Sequence, residues 1–286
     1  MMKMNFLRRK FTEKDDSEGI IEFNVEELEG YMDMFSERKI IGRGGFGPVY
    51  AGIIKKRPGI NVKELHVAIK SSRNKDAKAT EQWLAEKEYL PEVKHQNIIK
   101  LIGYCEAKDK FYLVYPYMQN QTVFTHLSGL DWRKTLKIIK GIASAIQKLH
   151  EFKPALVHRD LKLDNILLDK NFTPKLADFG KVTPEGEHII SGNRADDIYS
   201  FGEIIIQLIT KKERTYSIGA SVPWRIGDWA MRTYPTQKLL HPQLARTGCS
   251  KEAADAITAL GLDCVNPQPS DRPTIADVLH KLADLS

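Results

Sequence analysis

A nine-residue run, V-H-R-D-L-K-L-D-N at 157–165, constrains this chain more than any other part of its sequence, and D-F-G follows it, beginning at Asp178. Asp160 in the run can accept a proton from a hydroxyl group, and Lys162 can steady a phosphate during its transfer. Asn165 and Asp178 supply the hard oxygen atoms that Mg²⁺ prefers. We therefore predict a phosphate-handling site with Asp160 and Lys162 as catalytic residues and Asn165 and Asp178 as metal ligands.

A second feature is the glycine pattern G-x-G-x-x-G formed by Gly42, Gly44 and Gly47, with Val49 just beyond it. Glycines let the backbone of a hairpin approach phosphate oxygens closely, with amide N–H groups directed at them. A dinucleotide-binding fold would need a helix immediately after this pattern, whereas the residues around it are strand-forming. By itself the pattern more often marks an ordinary glycine-rich turn.

The tetrapeptide V-A-I-K places a lysine, Lys70, at the end of an apolar strand, twenty-three residues after Gly47. An ammonium group is unfavourable there unless anions surround it. A lysine in this position can hold the α- and β-phosphates of a nucleotide, provided that a carboxylate orients it.

The periodicity of residues 78–93 selects that carboxylate. In a helix with about 100° per residue, four side chains of this segment share an arc of about 80°: Trp83, Glu86, Leu90 and Val93. Glu81 and Glu88 point to the opposite side. We therefore predict that Glu86 lies on the buried face and pairs with Lys70, although a solvated glutamate would be the ordinary interpretation without the lysine.

The order of the predicted elements indicates an α+β fold with two lobes and a cleft between them. Short β-rich runs lie at 40–50, 65–70, 98–104 and 111–115, interrupted by the helix at 78–93. Long helical patterns lie at 132–150, 195–210, 251–264 and 275–285, around a strand-like segment at 156–176. The first lobe is thus a small sheet with one main helix, and the second is larger and helical.

Four segments follow from this pattern. We predict a flexible leader at 1–22, a short amphipathic, juxtamembrane-like helix at 23–35, the β-rich lobe at 36–118 and the helical lobe at 119–286.

Composition excludes several classes of function. The net charge of +6 comes from basic residues scattered among 37 acidic ones, and no concentrated basic element suggests nucleic-acid binding. Cys105, Cys249 and Cys264 lack metal-ligand spacing and are typical of reduced thiols inside a cell.

The sequence contains no membrane-spanning pattern, because no apolar run approaches the roughly eighteen residues required. The apolar stretch at the start is too short for a signal peptide, so we expect an intracellular chain. The basic run at 8–10 is compatible with weak contact with the inner face of the plasma membrane, although such a run is more often merely solvated.

Together these motifs resemble the protein kinases, and several stretches are similar to the plant receptor-like cytoplasmic serine/threonine kinases. The stretches are FSERKIIGRGGFGPVYAG, HQNIIKLIGYC, FYLVYPYM, HRDLKLDNILLD, DIYSFGEIIIQLIT and CVNPQPSDRPTIADVL, and the likeness runs from about Phe23 to Leu285. The resemblance implies a two-lobed kinase fold that uses ATP and magnesium to phosphorylate serine or threonine hydroxyls. Lys162 matches the serine/threonine pattern rather than the tyrosine pattern.

The resemblance also implies a nucleotide pocket. Tyr115 would line the back of the pocket, and the Pro116 carbonyl and the Met118 N–H would form hydrogen bonds with adenine. The side chains of Val49, Ala68 and Leu167 would enclose the adenine ring. The implied nucleotide-binding residues are Ile41, Gly42, Gly44, Gly45, Gly47, Val49, Ala68, Lys70, Tyr115, Pro116, Met118 and Leu167. Asp197 resembles the buried helix aspartate that holds the catalytic loop in this family. A protein substrate and a receptor kinase partner in a cytoplasmic signalling pathway are further expectations.

The chain departs from the family between D-F-G and the following helix, where Asp197 lies only seventeen positions after Gly180. In one alignment, slightly favoured, T-P-E ending at Glu185 replaces the family's A-P-E motif, and Glu185 pairs with Arg272. In the other, residues 184–191 begin the activation loop, and the peptide-docking loop with its A-P-E is missing. Either way Arg159, which meets an activation-loop phosphate in the family, lacks its partner. An ATP-binding pseudokinase or scaffold therefore stands beside an active kinase as a second hypothesis.

Overall fold

The structure, a computed structural model, describes residues 19–32, 39–57, 60–186, 193–216 and 224–285. These residues form an α+β fold with a mixed sheet in the first lobe and mostly helices in the second. No helix among them is long and apolar enough to cross a membrane.

The first lobe is a six-stranded sheet in the order β1-β5-β6-β4-β3-β2, in which β1 and β5 run parallel and the other neighbours antiparallel. The strands are β1 Ile21–Glu22, β2 Ile40–Arg43, β3 Pro48–Arg57, β4 Ile60–Ser71, β5 Gly103–Glu106 and β6 Phe111–Pro116. Helices α1 Val25–Met32 and α2 Ala77–Glu92 accompany the sheet.

Helix α2 begins where the sequence allows its first turn to be capped. Asp76 precedes the helix in an extended conformation, and its side chain accepts a hydrogen bond from the Ala79 N–H at 2.7 Å. Trp83 on the buried face stacks on Phe111 of β6, with 4.6 Å between ring centroids. Capping and stacking together fix which face of α2 meets the sheet, and Glu86 lies on that face.

The second lobe is built around long helices. Its helices are α3 Val123–His126, α4 Trp132–His150, α5 Arg194–Thr210, α6 Ile226–Thr233, α7 Pro242–Arg246, α8 Lys251–Cys264 and α9 Ile275–Ala283. Its two-stranded pairs are β7 Leu156–Val157 with β10 Thr183–Pro184, β8 Ile166–Leu168 with β9 Pro174–Leu176, and β11 Thr215–Tyr216 with β12 Trp224–Arg225. Short 3₁₀ turns occur at Leu127–Gly129, Leu163–Asn165 and Pro269–Asp271.

One continuous apolar cluster spans both lobes. It joins Trp83 and Leu113 of the sheet lobe to Ile139 of α4 and Phe201 of α5. Removing this much apolar surface from water is the main stabilising contribution to the fold. Lys70 of β4 contacts Asp178, which follows β9, so an ion pair joins the two lobes at the cleft beside this cluster.

Several elements differ from the sequence prediction. The helix expected at 23–35 covers only Val25–Met32, with residues 33–35 outside the described part of the chain. Ile21 and Glu22, predicted to belong to a flexible leader, form β1 beside β5. The strand expected at 98–104 begins only at Gly103, because Ile98 and Ile99 pair with Leu176 of the second lobe rather than with the sheet.

Candidate active site

The central contact of the cleft is made by Lys70, which lies near the end of β4. Its Nζ is 2.6 Å from Oε1 of Glu86 and 2.8 Å from Oδ1 of Asp178. Burial favours the neutral amine, but the two carboxylates outweigh that effect and raise the pKa of Lys70 above its ordinary value. For Asp178, burial would raise the pKa, but the charge and hydrogen bond of Lys70 dominate and lower it. The lysine is therefore a fixed cation between two carboxylates.

Glu86 occupies the position that helical periodicity predicts. It is 1% exposed, whereas Glu81 and Glu88 on the other face of α2 are exposed. Its second oxygen, Oε2, accepts a short hydrogen bond from the Tyr115 hydroxyl. Burial, followed by the charge of Glu86, raises the pKa of Tyr115 well above its usual range. Both oxygens of this buried carboxylate are thus satisfied by partners on the sheet.

Asp160 lies in the loop between β7 and β8 and is surrounded by donors. Lys162 Nζ and Asn165 Nδ2 each lie 3.0 Å from its Oδ2, and Lys181 Nζ lies 3.1 Å from its Oδ1. Burial alone would raise the pKa of Asp160, but the hydrogen bonds and charges of Lys162 and Lys181 lower it to about 2. Asp160 is therefore an ionised carboxylate with one oxygen shared by two donors and the other beside a third.

The loop that carries Asp160 is held in place by Asp197 of α5. This aspartate is 1% exposed and accepts hydrogen bonds from the backbone N–H groups of His158 at 2.8 Å and Arg159 at 2.9 Å. Its Oδ2 also lies 3.2 Å from Nε2 of His150. The expectation that Asp197 holds this loop is confirmed.

The glycine loop connects β2 and β3, which pair Gly42 with Val49. The Gly44 N–H bonds the Gly47 carbonyl at 3.0 Å, which closes the turn. A Cβ at position 47 would collide with the Ser71 carbonyl oxygen, so this close approach of two backbones requires glycine.

Phe46, at the tip of the same loop, is a residue that the sequence patterns did not single out. It is buried, and its ring centroid lies 5.1 Å from Nζ of Lys70. An aromatic residue between two glycines of the motif is the only sequence signal for this contact.

The residues assigned to adenine lie on the strands that border the cleft. In the sheet, Ala68 is the partner of Tyr115 across β4 and β6. Leu167 is on β8, and Met118 follows β6; both are partly buried against the main cluster. Ile41 is partly buried on β2. Their contacts with a nucleotide, and those of Pro116 and Gly45, stay predictions.

The oxygen atoms available for a metal are few. Asn165 donates through Nδ2 to the backbone and side-chain oxygens of Asp160, which leaves its own amide oxygen as an acceptor. Within the described residues, no group of three or more His, Cys, Asp or Glu side chains could hold a metal ion unaided. An amide and the carboxylate of Asp178 suit Mg²⁺ that is shared with phosphate oxygens, since this ion keeps water and phosphate ligands.

The short segment after D-F-G differs from the favoured alignment. Thr183–Pro184 forms β10 beside β7, directly before the catalytic loop. Glu185 pairs with Arg194 at 2.8 Å, while Arg272 donates to the Ala195 carbonyl at 2.9 Å and approaches Asp196 at 3.5 Å. The predicted Glu185–Arg272 ion pair is therefore wrong, because Arg194 lies closer along the chain and takes the carboxylate. Without that ion pair the favoured alignment loses its main support, which leaves the alignment in which the docking loop is missing.

Arg159 is left with unused donors. Its Nε and Nη2 are buried and have no hydrogen-bond partner among the residues the structure describes. Buried guanidinium nitrogens without acceptors are costly, so an anionic or carbonyl acceptor placed beside Arg159 would stabilise this loop.

Comparison with known proteins gives consistent matches. The family model for the protein kinase domain matches residues 35–282. The chain is 32% identical over 298 residues to PBL15 of Arabidopsis thaliana, a probable serine/threonine-protein kinase, covering 93% of this chain and 70% of that protein. It is 32% identical over 297 residues to an EPD1-interacting receptor-like cytoplasmic serine/threonine-protein kinase of Nicotiana benthamiana, covering 92% and 64%. EMS1, a leucine-rich repeat receptor protein kinase of Arabidopsis thaliana, is 33% identical over 286 residues, covering 88% and 23%.

Proposed function

Because the chain belongs to the protein kinase family, we propose that it is an ATP- and magnesium-dependent serine/threonine kinase that transfers the γ-phosphate of ATP to hydroxyl groups of proteins. The observation that carries this proposal is the position of Lys70, whose Nζ contacts Glu86 at 2.6 Å and Asp178 at 2.8 Å. A lysine–glutamate pair beside a metal-ligating aspartate is the arrangement that phosphoryl transfer requires in this family.

The charged residues have separate tasks in this proposal. Lys70, oriented by Glu86, would bind the α- and β-phosphates, and the carboxylate of Asp178 with the amide oxygen of Asn165 would hold Mg²⁺. An ion held there would supply positive charge against the phosphates. Glycines 42, 44 and 47 bring backbone N–H groups close to the same phosphates. The apolar side chains of Val49 on β3, Ala68 on β4 and Leu167 on β8 enclose adenine.

Asp160 acts on the acceptor hydroxyl group rather than on ATP. Its Oδ1 accepts and orients the proton of the incoming serine or threonine hydroxyl, while Lys162, already 3.0 Å from Oδ2, stays beside the transferring phosphate. A pKa of about 2 keeps Asp160 ionised at physiological pH, so it is ready to accept a hydrogen bond. Because that pKa makes it a weak base, its main contribution is to orient the hydroxyl.

The second candidate function is an ATP-binding pseudokinase or scaffold. Its support is the short segment after D-F-G, with only sixteen residues between Gly180 and Asp197, together with two nitrogens of Arg159 that have no hydrogen-bond partner among the described residues. A chain without a peptide-docking loop could still bind nucleotide, because Lys70, Glu86 and the metal ligands all lie outside that segment.

The relatives support proposals about partners and location. Proteins named as receptor-like cytoplasmic kinases are about a third identical to this chain over most of its length. By similarity to these relatives, we propose that this chain is located in the cytoplasm, has a receptor kinase as a partner and acts on a protein substrate.

A direct test compares Lys70→Met with Lys75→Met. Lys75 is an ion-paired lysine five residues further on, 2.6 Å from Glu106, and serves as the matched control. We expect Lys70→Met to lower MgATP affinity at least about tenfold and to abolish detectable phosphate transfer to serine peptides, and Lys75→Met to behave like the wild type. Equal behaviour of the two variants would contradict the proposal, and nucleotide binding without transfer by the wild type would favour the pseudokinase.

A further inference from the structure

Lys181, the first residue after D-F-G, makes a contact that the assignment of the catalytic residues does not use. Its Nζ lies 3.1 Å from Oδ1 of Asp160, and its side chain is 52% exposed. Asp160 is the only carboxylate that Lys181 contacts within the described part of the chain. The cation is therefore held at the catalytic carboxylate and faces solvent.

The two oxygens of Asp160 are not equivalent. Oδ2 already accepts from both Lys162 and Asn165, each at 3.0 Å. Oδ1 accepts from Lys181 alone among the described residues and retains a free lone pair. A hydroxyl group that bonds to Asp160 is therefore expected at Oδ1, next to the Lys181 ammonium.

The backbone of Lys181 is anchored although its ammonium is exposed. The next residue, Val182, is buried and donates a hydrogen bond from its N–H to the Phe179 carbonyl at 2.9 Å. Thr183–Pro184 then pairs with β7. Because the backbone that follows Lys181 is anchored, the side chain can turn its charge from Asp160 toward a ligand bound at Oδ1 while its Cα stays in place.

We propose that Lys181 is a specificity-determining residue, which selects acceptor peptides that carry an acidic group directly beside the serine or threonine hydroxyl. An anionic neighbour would pair with Lys181 as the hydroxyl takes its place at Oδ1, whereas a basic neighbour would meet a like charge. This inference rests on the proposed kinase function, since it names the substrate class of the same site. The short segment after D-F-G adds weight, because few other residues remain there to recognise a peptide.

The test uses three peptides that differ only in the residues flanking one serine: aspartate, asparagine or lysine on both sides. Peptide binding is measured by calorimetry with MgADP present, and phosphate transfer is measured separately with MgATP. In the wild type, the aspartate peptide should bind about fivefold more tightly than the asparagine peptide, which is the effect of one partly exposed ion pair. The lysine peptide should bind most weakly.

Two variants and a control assign the preference to Lys181. Lys181→Met, which keeps the length of the side chain, should remove the difference between the aspartate and asparagine peptides, and Lys181→Arg should retain it. Lys281→Met removes an equally exposed lysine, paired with Asp263 at 2.8 Å between α8 and α9, and should leave the preference unchanged.

The outcomes separate this inference from the proposed function. A binding preference that disappears in Lys181→Met supports the inference even if no phosphate is transferred, in which case the kinase function fails alone. Transfer to all three peptides without preference, or a preference that survives in Lys181→Met, overturns the inference and leaves the kinase function standing.

Discussion

At the scale of single residues, the buried carboxylate of Glu86 is the group in the cleft that most needs ion pairs and hydrogen bonds to compensate for its burial. A carboxylate that is 1% exposed is stable only when ion pairs and hydrogen bonds replace the water it loses. Lys70 and the Tyr115 hydroxyl do so, one at each oxygen. The orientation of Lys70 therefore depends on one face of helix α2.

Glu86→Gln should impair function because the neutral amide no longer attracts Lys70, which is then left with Asp178 alone. We expect kcat/KM for phosphate transfer to fall at least about tenfold, as after loss of one interaction in the transition state. Glu88→Gln, on the exposed face of the same helix, should stay close to the wild type. Steady-state kinetics of the two variants check this prediction, and a larger effect at Glu88 would show that the face of α2 is misassigned.

Asp197 should matter for stability as well as for activity. Asp197→Ala leaves the backbone N–H groups of His158 and Arg159 buried without their acceptor, so we expect the free energy of unfolding to fall by about 2–3 kcal/mol. Asp255→Ala, an exposed position on α8, should change it by less than about 0.5 kcal/mol. Urea unfolding of both variants gives the comparison, and equal losses would mean that Asp197 does not hold the loop.

At the scale of elements, the long helices were the most predictable from the sequence. The patterns at 132–150 and 251–264 coincide with α4 and α8 as observed, because each helix buries one face over several turns and so carries a strong periodic signal. Helix α2 was located to within one residue at each end. Because the bounds of α2 were predicted this closely, the spacing alone could show which face of the helix carries Glu86.

The short elements could not be predicted, because they form through contacts with other segments and carry no pattern within their own residues. Strand β1 has two residues and exists through pairing with β5, and helix α7, with five residues, is too short to show a clear period. The residues of the candidate site that lie within motifs were predictable. The contact between Lys181 and Asp160 was not, since it joins positions twenty-one apart that share no periodic pattern.

The segment from β10 to α5 offers a prediction at the same scale. A double-mutant cycle on Glu185 and Arg194 should give a coupling energy of about 0.5 kcal/mol, the size expected for a largely exposed ion pair. The matching cycle on Glu185 and Arg272 should give none. Urea unfolding of the alanine variants measures both, and coupling confined to Arg272 would restore the alignment that the structure disfavours.

At the scale of the whole molecule, the proposed nucleotide site and the proposed peptide site have separate structural origins. Lys70, Glu86 and Asp178 are positioned by the sheet lobe, the central apolar cluster and Asp197. A peptide substrate would depend on the residues after D-F-G, where the chain is short. Placement of two reactants can contribute roughly 7–11 kcal/mol to lowering a barrier, so this shortening should affect turnover far more than ATP affinity.

Replacing residues 181–196 by the longer segment of a relative should test that separation. We expect turnover on protein substrates to rise at least about tenfold, because a docking surface is restored, while MgATP affinity changes little. A glycine–serine segment of the same length is the control and should give no gain. No gain with the relative's segment would mean that this segment does not limit turnover.

We propose a division of labour in which Asp160 serves the hydroxyl acceptor while Asp178 serves the metal and nucleotide. The most direct measurement determines MgATP affinity and phosphate-transfer rate together for the wild type, Asp160→Asn and Asp178→Asn. We expect Asp160→Asn to bind MgATP normally but to transfer phosphate at least about a hundredfold more slowly, and Asp178→Asn to lose magnesium-dependent binding. Identical behaviour of the two variants, or full transfer by Asp160→Asn, would contradict it.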